Sequence, residues 1–268
     1  MSSSSAQDHV LSLPELISAI ILQLPIQNIL INVSLVNHTW KAAVDSPPVQ
    51  QALFLLPRIS DQGIKPEFNP LLIEKFPSWF KTTQPKTKSR GKRGWEFNDL
   101  EWGSSVSKIA AYKRKDASWR RMLPVQPPAT TFEVRRAEHW QAGSSYEVGE
   151  VTIPGGVRMG MLYDWAQKTV RTPISDFQVK WYMAHPDEDV EPGFGMMRDE
   201  VETEEVIEER KRGRGMPKVV MRTSYTMQCA VDMELDVGEE FVSDGFEELE
   251  LVWGKKPISV NGLNTDDS

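Results

Sequence analysis

Leu13-Pro14-Glu15-Leu16-Ile17-Ser18-Ala19-Ile20-Ile21-Leu22-Gln23-Leu24-Pro25 is the stretch whose reading decides how the chain begins to fold. Ser12 and Glu15 have the S-x-x-E spacing of a capping box, Pro14 lies in the first turn where its missing N–H costs nothing, and Leu11 and Leu16 can form a hydrophobic staple. A helix starts here. Leu13, Ile17, Ile20, Ile21 and Leu24 recur at spacings of mostly three and four, which gives one apolar face, and Pro25 marks the break. A second helix is expected from Ile26, its apolar positions continuing through Ile29, Leu30, Val33 and Val36 to Trp40 and Val44. A bend is expected around Asn37 to Thr39, whose side chains compete for backbone hydrogen bonds. Ser46, Pro47 and Pro48 end that run, and Pro48 to Leu56 reads as a third helix.

Charge is scarce in this region. Between Val10 and Pro57 only Glu15, Lys41 and Asp45 are charged. A self-sufficient helical unit of this size leaves about 40% of its unfolded surface in water, and such a surface normally carries many more charges. Most faces of these helices must therefore be covered. The cover can come from the rest of the chain or from another protein, and this arithmetic leaves the two nearly equal. A bilayer is the poorer answer. The stretch from Leu16 to Trp40 is long enough to cross about 30 Å of hydrocarbon, but Gln23, Pro25, Gln27, Asn28 and Asn32 would sit unpaired at that depth.

The run Leu13-Pro14-Glu15-Leu16-Ile17, then Ile21-Leu22, Leu24-Pro25, Asn28-Ile29-Leu30, and finally Val33, Leu35-Val36 and Trp40, resembles an F-box motif in order and spacing over about 35 residues. Asn28 stands where an acidic residue is frequent in that family, and His38-Thr39 replace the usual basic pair before the tryptophan. The resemblance implies a module that docks on the Skp adaptor of a cullin-RING ubiquitin ligase and, through it, on the cullin, while the remainder of the chain presents a protein substrate. The adaptor-binding residues it implies are Leu13, Pro14, Ile17, Ile21, Leu24, Pro25, Ile29, Leu30, Val33, Val36 and Trp40. An apolar helical surface with one large aromatic also fits an interface whose energy comes from a few buried anchors. The alternative is that the same residues are the core of an ordinary helical layer.

Outward from this module, which spans 10–57, a polar Gly/Pro-containing connection over 58–68 separates it from a body over 69–268. Asn69 can cap a helix with Pro70 at its first position. Helices are expected near Asp116 to Met122 and Met161 to Val170. Strand alternation carries Phe177, Val179, Trp181 and Met183, and the longest period-two pattern runs from Val219 through Met221, Thr223, Tyr225, Met227, Cys229 and Val231 to Leu235. Tyr146 and Val148 are out of phase with Val151 and Ile153, and Gly149 between them suggests a bulge. Leu249, Leu251 and Trp253 read as a last strand. The fold class expected is α+β, a three-helix F-box module followed by an α+β domain with an antiparallel sheet. Ser118 to Leu123, Gln126-Pro127-Pro128 and Gly160 to Asp164 resemble segments of F-box proteins from filamentous fungi.

The whole chain has 268 residues, 40% hydrophobic and 26% charged, with net charge −7. That charge argues against a general nucleic-acid coat. One cysteine, Cys229, excludes an intramolecular disulfide framework and a cysteine cage for metal. His9, His38, His139 and His185 lack zinc-site spacing, so no metal or other cofactor is expected. The first ten residues lack the basic and apolar regions of a secretory signal, which points to the cytoplasm or nucleus. No G-x-S-x-G, Walker, G-x-G-x-x-G or H-E-x-x-H motif occurs, so the chain is read as noncatalytic. The acidic run from Asp187 to Glu209 reads as a solvated excursion. The basic stretch 81–121 supports an alternative function, a nucleic-acid or chromatin-associated adaptor. Trp119 could anchor recognition beside Arg120 and Arg121, although a packing role is favoured for a single aromatic.

Overall fold

The structure is a computed structural model that describes residues 13–58, 66–80, 95–96, 100, 106–140, 143–169, 175–182, 218–226 and 251–255. Pro14 occupies the first turn of α1, Pro14–Ile21, and Leu13 precedes it in extended conformation. Ser12, the expected cap, lies outside the described residues. The helix expected from Ile26 to Val44 is instead three pieces: α2 Ile26–Ile31, a 3-10 turn Val33–Leu35, and α3 His38–Val44. Asn37 causes the last break. Its backbone is extended, and its Oδ1 accepts the Trp40 N–H at 3.0 Å, so a new helix starts on a side-chain cap. With α4, Pro47–Ala52, the amino-terminal unit holds four short α-helices rather than three.

α4 ends in a tight turn. Leu55 N donates to Gln50 O at 2.9 Å and Phe54 N to Gln51 O at 3.0 Å, the paired closure of a Schellman motif. The left-handed position is Phe54, at φ 60°, where glycine is usual. A side chain there costs about 1–2 kcal/mol, and the cost is offset because the Phe54 ring is buried.

In the body, Glu67–Phe68 (β1) pairs antiparallel with Val125–Gln126 (β3), so residues at the end of the expected linker already belong to body structure. Asn69 caps α5, Pro70–Lys75, as expected: its Oδ1 accepts from Leu71 N at 3.1 Å and Leu72 N at 3.3 Å. Further short helices are α6 Pro77–Phe80, α7 Val106–Lys113 and α8 Ser118–Arg121, and the longest is α9, Met159–Thr169. The main sheet contains β2 Trp95–Glu96, β4 Thr131–Trp140, β5 Gly143–Thr152, β6 Ser175–Tyr182, β7 Lys218–Thr226 and β8 Val252–Lys255, in the order β2-β6-β7-β4-β5-β8.

This sheet is mixed rather than purely antiparallel, because β4 and β7 are parallel. The crossover through α9 explains it. A helical return brings β6 back in the direction of β5, so β7, antiparallel to β6, runs with β4. The bulge expected at Gly149 is absent: β4 and β5 pair without interruption from Thr131 opposite Thr152 to Trp140 opposite Gly143. Gly149 has a different use. A Cβ there would lie 3.0 Å from the Trp253 ring, so the missing side chain seats the indole of the edge strand. The part of the long period-two pattern beyond Thr226, including Cys229, lies outside the described residues, as do Met183 and the acidic run.

Strand alternation places Phe132, Val134, Val219, Met221, Phe177, Val179 and Trp181 on one face of the sheet. The buried cluster containing most of them also takes in Leu162, Tyr163 and Ala166 of α9 and Leu72, Phe76 and Trp79 of α5 and α6. Trp119 packs rather than recognises: its ring centroid lies 4.9 Å from those of Phe76 and Tyr163. Trp181 stacks on Phe80 at 5.6 Å and donates its indole N–H to Trp79 O at 2.9 Å. Within this core α8 and α9 are joined by a buried ion pair, Arg120 with Asp164, through two hydrogen bonds of 3.0 and 2.5 Å.

The opposite face is ionic. Glu133 and Glu150 stand directly across from one another on β4 and β5. Lys218 bridges both, ion-paired with Glu133 and 3.0 Å from Glu150, and Arg135 adds a second pair to Glu133. Burial pushes the Glu133 carboxyl up, but the Arg135 charge and the hydrogen bonds from Lys218 and Arg135 outweigh it and hold it below its usual range. Burial likewise pushes the Lys218 ammonium down, and its bonds to Glu133 and Glu150 reverse that and raise it.

Two consequences are measurable. Arg120→Met leaves Asp164 charged and buried and is expected to cost about 3–5 kcal/mol in urea unfolding, most of which the double change Arg120→Met with Asp164→Leu restores. Lys218→Met is expected to cost about 1–2 kcal/mol at neutral pH. A depressed carboxyl contributes above its unfolded pKa and loses that contribution as pH falls through its folded value. A raised ammonium contributes below its unfolded pKa and loses that contribution as pH rises through its folded value. The gap between parent and variant should therefore close at both ends of a pH series of urea midpoints.

Candidate functional site

Eleven large apolar side chains are exposed among the described residues, and eight of them lie between Leu13 and Leu56. That concentration makes the helical module the candidate site. The arrangement follows from helix geometry. At about 100° per residue, Leu13, Leu16 and Ile20 fall on one flank of α1 and Ile17 and Ile21 on the adjoining flank, so the apolar arc is wider than the module can cover. Ile17 and Ile21 are fully buried, while Leu13, Leu16 and Ile20 each remain about two-fifths exposed. Farther along the chain the same division separates buried Ile29 and Val33 from Ile31 and Val36, each 56% exposed, and Leu35, which is 80% exposed.

The module nevertheless has its own interior. Ile17, Ile21, Ile29, Val33, Val49 and Leu53 lead its buried cluster, with Leu24 and Trp40 packed against it. This sorts the eleven residues named from the motif. Leu13, Pro14, Pro25 and Val36 are exposed, and Leu24, Leu30 and Trp40 are half-buried. Ile17, Ile21, Ile29 and Val33 are buried in the module's own cluster. Leu16, Ile20, Leu22, Ile31 and Leu35, not named from the motif, are exposed. The signal that could have found them is phase: the better-packed flank of α1 carries the i, i+4 pair Ile17 and Ile21, leaving its neighbours outside.

Electrostatics leave this surface nearly neutral. Glu15, Lys41 and Asp45 are the only charged side chains from Leu13 to Pro57, and all three are exposed. Such a surface can bind by desolvating aliphatic side chains. The basic stretch proposed for nucleic acid is described only in part, since 81–94 lies outside the described residues. Within it, Arg114 pairs with Asp116 at 3.1 Å and Arg120 is the buried partner of Asp164. No group of three or more metal-ligating side chains occurs among the described residues. No helix among them is long and apolar enough to cross a membrane.

No protein-family model matches the chain, and no curated protein or solved structure matches it either.

Core and surface are separable by substitution. Leu35→Asp is expected to change stability by less than about 0.5 kcal/mol, whereas Ile17→Ala should cost about 2–5 kcal/mol. Thermal unfolding followed by circular dichroism checks both.

Proposed function

We propose that the helices between Pro14 and Ala52 form an F-box-type docking module that binds a Skp-type adaptor, and through it a cullin, while the α+β body holds a protein substrate for ubiquitin transfer by other subunits. The observation that carries this reading is the number of aliphatic side chains left in water, Leu13, Leu16, Ile20, Ile31, Leu35 and Val36, on a unit that already possesses a core and has almost no charge. Monomeric proteins rarely leave so many large apolar groups together in one short segment unless another protein covers them. In this reading Ile17, Ile21, Ile29 and Val33 support the docking face from beneath, Trp40 steadies α3 against the module core, and the chain itself performs no covalent chemistry. Its place is in the cytoplasm or nucleus.

Co-purification of the full chain with a Skp adaptor tests the proposal. Leu16→Asp combined with Leu35→Asp is expected to lower capture at least about tenfold, since each places an unpaired charge where a desolvated contact would form. Circular dichroism should show the variant still folded. Capture undiminished in the folded variant, or absent in the parent, overturns the reading.

A further inference from the structure

The last turn of the helical module presents the carbonyls of Phe54, Leu55 and Leu56 to donors from the body, and the Gln51 carbonyl, which already accepts from Phe54 N, takes a further bond from the body. Leu123 N lies 2.7 Å from Phe54 O, Gln126 Nε2 lies 3.0 Å from Gln51 O and 2.9 Å from Leu56 O, and Arg158 Nη1 lies 3.2 Å from Leu55 O. Gln126 is itself 1% exposed, so its amide is committed to this seam. Apolar packing crosses at the same place, because Ile26, Leu30 and Leu55 contact both the module cluster and the body cluster.

The module is poorly equipped to stand without this seam. Its helices have eight, six, seven and six residues. All are below the about 12–15 residues at which an isolated helix becomes marginal in water. The cluster at its centre is eight aliphatic side chains, with Trp40 only partly buried against them, and a core that small rarely sustains a fold alone. The closing turn also holds Phe54 in the left-handed region, a conformation that persists only where surroundings enforce it.

We infer that Gln126 and Arg158 weld the module to the body as one cooperative unit, so that the exposed aliphatic face is displayed only while the body is folded. The partner-binding consequence rests on the docking reading above; the cooperative link does not. A chain whose body has unfolded loses the shape of its docking face, and occupancy of the partner then reports the integrity of the body.

Amide hydrogen exchange on the full-length protein, across a denaturant series, decides the link. In the parent, amides of α1 and α3 should share the protection and the denaturant dependence of those in β4 and β5. In Gln126→Leu with Arg158→Leu, module protection should fall about ten- to hundredfold, as expected for several lost hydrogen bonds each worth a factor of a few, while β4 and β5 change less than about threefold. Module amides that exchange through their own separate opening in the parent overturn the inference, and this comparison needs no variant. So does a folded double variant with unchanged module protection. A parent that exchanges as one unit yet captures no adaptor overturns the docking reading alone.

Discussion

Short helices cannot hold themselves together, and the amino-terminal part of this protein is made of nothing else. None of its four helices exceeds eight residues: Pro25 follows α1, a 3-10 turn and the Asn37 cap follow α2, the Ser46-Pro47 junction follows α3, and α4 closes in the Phe54 turn. Stability must then come from tertiary contacts, which are of two kinds: aliphatic packing among the helices, and hydrogen bonds delivered by the body to the turn after α4. The second kind sets the first in place. Gln126 is buried and reaches the carbonyls of both Gln51 and Leu56, so its loss would remove two bonds that tie this turn to the body.

The body follows a different logic. Its main sheet has one apolar face, covered by α9 and by α5 and α6, and an aromatic network from Trp119 through Phe76, Tyr163 and Trp79 to Phe177 fills the space between. Edge-to-face and stacked pairs of this kind contribute more than their buried area alone. The buried Arg120–Asp164 pair ties α8 to α9, joining residues that are 44 positions apart in the chain.

Much of this was legible in the residues. Pro14 and Asn69 marked helix starts because capping is local chemistry, and the alternation of Phe177, Val179 and Trp181 marked β6 because one face of that strand is apolar. The central strand β4 was not legible. Its outward positions carry Glu133 and Arg135, and Arg136 and Glu138 extend the charge, so apolar alternation survives only at Phe132 and Val134. The parallel pairing of β4 with β7 depends on a crossover, and Gly149 serves a tryptophan about a hundred positions away; neither has a local signature. At the candidate site the apolar spacing marked helices between Pro14 and Ala52 but not which flank faces outward. Which of two adjoining apolar rows turns inward is decided by the neighbouring helices.

The bridge from Lys218 to Glu133 and Glu150 bears on how the sheet assembles. Sliding β7 by two positions along β4 would keep every side chain on its own face, so hydrophobicity barely discriminates against that error. Charge at Glu133 barely discriminates either, since a slip one way sets Lys218 opposite Glu133 and a slip the other way sets Arg222 there. What the bridge favours is the arrival of β7 itself: Glu133 and Glu150 face each other across β4 and β5, and the ammonium that reaches both comes only with the parallel strand.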